Sequence, residues 1–290
     1  AAMPGFKALE KCPQLIIVPT RFEVYQSVSA QIRAIFGRFT DLIEPLSLDE
    51  AYLDVSHWRS DASTIAREIR RQIFEETQLT ASAGIGPNKL IAKIASDLDK
   101  PNGQWTVTDV EGFMDNLPVA KLWGVGKKMQ EKLKQHKIST CGDMQKLDKF
   151  AMSRRYGRWG VELYDLCRGI DAREVKVQRV RKSISNETTF SEDIIGASSL
   201  VPELRRLVAK VEESYQARYT ERTIKSVVVK LKFADFTRTT IEKASARVDA
   251  TLAETLLIEG FARGGGKAVR LLGVGIRLAD EEDEMQLEMF

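Results

Sequence analysis

Two adjacent acids, Asp49 and Glu50, lie inside the string Ser47-Leu48-Asp49-Glu50-Ala51-Tyr52, where the apolar alternation changes phase. Leu46 and Leu48 occupy even positions, whereas Ala51, Leu53 and Val55 occupy odd ones. Side chains of a continuous strand alternate faces, so the phase change predicts a turn or bulge at the two carboxylates. Neighbouring carboxylates repel unless positive charge offsets them. Mg²⁺ does so through hard oxygen ligands, and a pair of such ions promotes nucleotidyl transfer by activating a hydroxyl and stabilising the leaving pyrophosphate. The competing reading of a bare Asp-Glu pair is a solvated surface turn.

A second constellation runs from Ala83-Gly84-Ile85-Gly86-Pro87-Asn88-Lys89 to Lys100-Pro101-Asn102-Gly103. Gly-x-Gly before a helix reads first as a packing turn. A lysine ahead of a Pro-Asn-Gly turn is held on fixed backbone and suits a point charge aimed at phosphate. Lys93, inside the helical stretch, is read as part of a solvated face. The third constellation is Leu122-Trp123-Gly124-Val125-Gly126-Lys127-Lys128. Its glycines let backbone approach phosphate, and the helix that follows offers free N–H groups. Such contacts position a duplex without reading its bases; the alternative is a helix–helix turn with exposed lysines.

The fourth is a strand over residues 223–233. Val227, Val229, Leu231 and Phe233 share one face, and Ser226, Lys230 and Lys232 the other. Packed on helices by its apolar face, this sheet offers the basic face to DNA, with Arg181, Lys182, Arg238 and Arg270 on neighbouring strands or their ends. The alternative is plain edge solubility. Last, Gln286-Leu287-Glu288-Met289-Phe290 closes an acidic terminus. Leu287, Met289 and Phe290 suit an apolar pocket with Gln286 bonding at its rim; the alternative is a disordered end.

The elements around these residues follow from periodicity. Val24, Val28, Ile32, Ile35, Phe36 and Phe39 have helical spacing, as do Ala62, Ile65, Ala66, Ile69 and Ile73. With strands at 80–85 and 104–108 and a helix at 88–98, the order predicts an α/β layer on a mostly antiparallel sheet. Residues 109–170 read as a small all-helical domain, followed by a charged linker. Strands at 183–190, 223–233, 237–241 and 268–278, with helices at 200–215 and 248–261, give β-α-β-β-α-β. The fold class expected is multidomain α+β.

Composition sets limits. The chain has 290 residues, 43% hydrophobic and 29% charged, ordinary for a globular protein. No apolar run approaches the ~18 residues of a membrane span. Three scattered cysteines and two histidines argue against a disulfide framework or a Cys/His zinc site and point to a reducing, cytoplasmic setting. Residues 121–182 hold 17 Lys and Arg against 7 Asp and Glu, a local charge of +10 within a total of +3. That basic middle suggests a polyanionic partner, a solvated helical surface being the alternative.

The Ser-Leu-Asp-Glu-Ala-Tyr string resembles the catalytic palm motif of the Y-family, translesion DNA polymerases of the bacterial polymerase IV type. The Lys-Pro-Asn-Gly turn, the 122–128 segment and the second α/β pattern follow in the family's order. The 122–128 segment is similar to a helix-hairpin-helix, with Trp123 in place of the usual proline. The resemblance implies a split-βαβ palm (21–110) after a remnant of the fingers (1–20). A helical thumb (111–170), a linker (171–182), a βαββαβ little finger (183–279) and a clamp-binding tail (280–290) come next.

It further implies that Asp49 and Glu50 are catalytic and bind two Mg²⁺ ions, and that Lys100 contacts the incoming deoxynucleoside triphosphate. Gly124, Gly126, Lys127, Lys128, Lys182, Lys230, Lys232 and Arg238 then contact primer-template DNA. Gln286, Leu287, Met289 and Phe290 bind a bacterial sliding clamp. The expected activity is low-fidelity, template-directed synthesis past damage, without proofreading, by a monomer. The family's third metal-binding acid, its ribonucleotide gate and its Tyr/Arg triphosphate contacts lie in an N-terminal segment that begins near Asp-x-Asp and an aromatic pair. This sequence has no such string, and Ala2-Met3-Pro4 resembles the family just beyond it, so a truncation is expected. The alternative function is a catalytically incomplete fragment that binds DNA and clamp; an RNA-directed nucleotidyl transferase is disfavoured by the resemblance alone.

Overall fold

The computed structural model describes residues 3–178 and 180–279, and the chain divides into two units, 1–178 and 179–290. In the first unit α1 (Gly5–Lys11) precedes α2 (Phe22–Phe36), β1 (Ile43–Pro45), β2 (Ala51–Leu53) and α3 (Ala62–Thr77). Ile35 of α2 and Ile65, Ile69 and Ile73 of α3 are buried in one cluster, with the half-buried Leu53 and Val55 packed against it. The helical spacing read from sequence is therefore the spacing of this core. α3 starts where the Asp61 carboxylate accepts from the Thr64 N–H and stops at Gln78, which takes a left-handed conformation.

Next come β3 (Ala83–Ile85), α4 (Lys89–Ala95) and β4 (Gln104–Thr106). The expectation of one mostly antiparallel sheet is corrected here. β1 and β2 pair antiparallel, but β3 and β4 form a separate, parallel pair. Parallel neighbours need a crossover, and α4 supplies it. Helices α5 (Val110–Asp115), α6 (Lys127–Gln135), α7 (Cys141–Gln145), α8 (Lys149–Tyr156) and α9 (Arg158–Leu166) complete this unit. Their core, with Leu133, Met144, Met152 and Leu163 fully buried, also takes in Leu90, Ile91, Ile94 and Ala95 of α4. One helix thus serves both the strand pair and the helical region.

The second unit holds β5 (Ser183–Ile194), α10 (Val201–Arg218), β6 (Ile224–Phe233), β7 (Arg238–Ala244), α11 (Ala250–Arg263) and β8 (Val269–Leu278). The β-α-β-β-α-β order is as the sequence predicts. The strands form one antiparallel sheet in the order β5-β8-β6-β7. Leu204, Leu207 and Val211 of α10 and Leu256 and Leu257 of α11 pack with Val227, Val229, Leu231 and Phe233 of β6. The helices therefore cover one face and leave the Lys230–Lys232 face open. Among the described residues no helix is long and apolar enough to cross a membrane.

Candidate active site and nucleic-acid surfaces

The predicted bend is a tight hairpin. Pro45 pairs with Ala51, and the Leu46 and Ser47 N–H groups both donate to the Glu50 carbonyl. Asp49 and Glu50 are exposed on this turn. Helix α2 fastens the loop from behind: the buried Ser29 hydroxyl donates to the Leu48 carbonyl at 2.6 Å, and Arg33 donates to the Ser47 carbonyl at 3.3 Å. The Ser47 hydroxyl donates to Asp49 Oδ1 at 2.5 Å. Sequence reasoning missed Ser29 and Arg33, because a serine and an arginine inside an amphipathic helix carry no sign of what they will meet.

One lysine meets the acids directly, and a second is held by a different carboxylate. Lys93, read from sequence as solvated, places Nζ 2.7 Å from Glu50 Oε1; that reading is corrected, since α4 aims this face at the hairpin. Lys100 pairs with Asp97 at 2.6 Å. Its ammonium is held above the ordinary lysine value, first by Asp97 and then by the charges of Glu50 and Asp49. The Lys-Pro-Asn-Gly turn is pinned by Arg70 of α3, which donates to the Ala81 carbonyl at 2.9 Å and to Asn102 Oδ1 at 3.0 Å. The pinning fits a lysine that must hold its place.

Under the hairpin lies a buried ion pair. Lys89 Nζ is 2.7 Å from Glu44 Oε2 and donates also to the Glu174 carbonyl at 2.7 Å. Glu44 accepts in addition from the Lys176 N–H at 2.8 Å. Burial pushes the Glu44 carboxyl up, but Lys89 and that N–H outweigh it and hold it below the ordinary value. Glu44 belongs to β1, so the strand feeding the two acids is tied to the segment after α9.

Asp49 and Glu50 present hard oxygens to solvent, the donor set a divalent cation needs. Among the described residues no group of three or more His, Cys, Asp or Glu side chains is placed to hold a metal ion.

Gly124, Gly126, Lys127, Lys128, Met129 and Lys132 line one surface depression. Gly124 has φ +83°, and a Cβ there would lie 2.4 Å from Trp159 Cζ2, so glycine is required twice over. Trp123, where the usual hairpin has proline, is simply exposed. On the second unit, Lys230 pairs with Glu187 at 2.8 Å, Lys232 lies over Phe236, and Lys182 and Arg238 are exposed. Gln286, Leu287, Met289 and Phe290 fall outside the described residues.

These features coincide with known proteins. Residues 1–97 match the impB/mucB/samB family and residues 181–289 its C-terminal domain, while residues 120–171 match the thumb domain of DNA polymerase-iota. The chain is 46% identical over 294 residues to DNA polymerase IV of Legionella pneumophila subsp. pneumophila (strain Philadelphia 1), covering 100% of this chain and 82% of that protein. It is 47% identical over 296 residues to DNA polymerase IV of Ectopseudomonas mendocina (strain ymp), covering 100% and 84%. Among solved structures, the Y-family DNA polymerase chimera Dbh-Dpo4(243-245)-Dbh superposes with a TM-score of 0.85 at 27% identity, covering 96% of this chain and 82% of that one. An insertion ternary complex of Dbh DNA polymerase gives 0.64 at 26%, covering 96% and 83%. The chain belongs to the Y-family DNA polymerases, and within them to the DNA polymerase IV group.

Proposed function

We propose that this protein extends a primer on a DNA template by nucleotidyl transfer, as a low-fidelity translesion polymerase without proofreading. The observation that carries the reading is the paired carboxylates on a fastened hairpin, with Lys93 paired to Glu50. The primer 3′-hydroxyl oxygen forms a bond to the α-phosphorus of a deoxynucleoside triphosphate. The bond to the β-phosphate bridging oxygen breaks, and pyrophosphate leaves with its electron pair. Asp49 and Glu50 would hold divalent cations, which we take to be two Mg²⁺ ions, and these would supply acidification of the hydroxyl and neutralisation of the leaving charge.

The protein's own residues do the rest. Ser29 and Arg33 fix the loop, so the two carboxylates meet the ions preorganised. Lys100, on a pinned turn, serves the triphosphate as a fixed positive charge. The Gly124–Lys128 hairpin and the open sheet face with Lys182, Lys230, Lys232 and Arg238 hold the duplex through its phosphates. The C-terminal Gln286, Leu287, Met289 and Phe290 dock on a sliding clamp, and the protein works as a monomer.

The experiment is primer extension with Mg²⁺ by the complete gene product and its Asp49→Ala variant, beside measurement of duplex affinity. Extension is expected to vanish in the variant while duplex binding stays. Extension that survives the substitution sinks the assignment, and so does a loss of DNA affinity of similar size.

A further inference from the structure

Phe236, at the tip of the β6–β7 hairpin, is held against two local preferences. Its φ is +66°, a left-handed conformation that strains a bulky L-residue. Its side chain is also 60% exposed. Glycine or asparagine would adopt this backbone freely. The turn itself is firmly built. Asp235 Oδ1 accepts from the Thr237 N–H at 3.0 Å and its hydroxyl at 2.6 Å, and Asp235 Oδ2 meets Lys267 Nζ at 2.7 Å. The Phe236 N–H donates to the Phe233 carbonyl at 2.9 Å.

What the ring touches accounts for its retention. Lys232 Nζ lies 4.3 Å from the ring centroid and Arg270 Cζ 5.2 Å. Arg270 stands where the β6–β8 register shifts: Lys232 pairs with Leu271 and Phe233 with Val269, so Arg270 is the extra residue. Bulges re-aim side chains, and this one brings Arg270 to the same ring as Lys232. Both cations thus lie over one aromatic ring, whose quadrupole attracts each of them. Arg270 also faces Asp193 at 3.6 Å, which leaves the pair with net positive charge. A phosphate diester answers that charge.

We propose that Phe236 is a positioning residue that preorganises Lys232 and Arg270 as a clamp for one backbone phosphate of bound DNA. The proposal rests on the reading of the open sheet face as a DNA surface. The ring touches no phosphate itself; it fixes where the two cations wait.

The test measures primer-template affinity by fluorescence anisotropy at several salt concentrations, with thermal unfolding alongside, in the complete gene product. Three variants are compared: Phe236→Gly, Phe236→Tyr, and the double change Lys232→Ala with Arg270→Ala. Phe236→Gly is expected to unfold no earlier than the parent, since it releases the left-handed strain, yet to bind DNA about three- to tenfold more weakly. Phe236→Tyr, which keeps an aromatic face, should bind like the parent. The double variant should bind weakly, with a salt slope shallower by about 1. Parental binding by Phe236→Gly, beside weak binding by the double variant, overturns the clamp and leaves the sheet surface standing. Parental affinity and slope in the double variant overturn the sheet surface itself. Earlier unfolding of Phe236→Gly, or equal weakness of Phe236→Tyr, reduces Phe236 to a structural residue and refutes the proposal.

Discussion

Lys93 Nζ lies 2.7 Å from Glu50 Oε1, joining helix α4 to the acidic hairpin across 43 residues of sequence. An ammonium there supplies the positive charge that two adjacent acids require. It also competes with any divalent cation for the same oxygen. Lys93→Gln is therefore expected to tighten Mn²⁺ binding by about tenfold, the effect of removing one nearby charge that water screens almost as in bulk solvent. Titration of the Mn²⁺ paramagnetic resonance signal reads this directly. Unchanged affinity means that the lysine and the ion do not share Glu50.

The Lys89–Glu44 pair has side chains only 8% and 19% exposed. Removing one partner of a buried pair strands the other charge, at a cost of about 3 kcal/mol. Lys89→Met should lower the stability of the unit by that amount in urea unfolding. A loss no larger than that of an exposed lysine variant argues that Glu44 finds other compensation.

The same pair sets a pH dependence. Against the destabilising effect of burial, Lys89 and the Lys176 N–H hold the Glu44 carboxyl below its ordinary 4.5. A carboxylate depressed by folding stabilises the protein above its unfolded value, and that contribution is lost as pH falls through the folded value. The parent should therefore lose stability below pH 4.5 more steeply than Glu44→Gln. Acid titrations followed by circular dichroism compare the slopes; parallel curves contradict a depressed Glu44.

Gly124 and Gly126 make a matched pair. A Cβ on Gly124 meets Trp159 at 2.4 Å on a φ of +83°, whereas one on Gly126 meets nothing within 4 Å. Gly124→Ala should cost about 1–3 kcal/mol of stability through crowding and backbone strain. Gly126→Ala should fold normally and, if the hairpin holds DNA as proposed, weaken duplex binding, because its methyl would occupy space that a phosphate needs. Normal duplex binding by a folded Gly126→Ala removes this hairpin from the DNA surface.

Deleting residues 286–290 should spare basal primer extension and abolish its stimulation by a sliding clamp. Measured with and without clamp, equal stimulation of the truncated and complete proteins refutes the role proposed for Leu287, Met289 and Phe290.

The order of residues alone determined whatever depends on near neighbours. The parity switch from Leu48 to Ala51 located the hairpin, because strand alternation is a local rule. The spacing of Ile65, Ile69 and Ile73 gave α3, and the alternation along 227–233 gave a sheet with one covered face. Only the tertiary structure decided that α4 aims Lys93 at Glu50, that Lys89 is buried beneath the hairpin, that β3 and β4 run parallel, and that Phe236 gathers cations from two strands. A lysine on a helix has the same periodicity whether its neighbour is water or a carboxylate 43 residues away. Which of the two it meets depends on how the helices and strands pack, and packing is set by long-range contacts that no local pattern encodes.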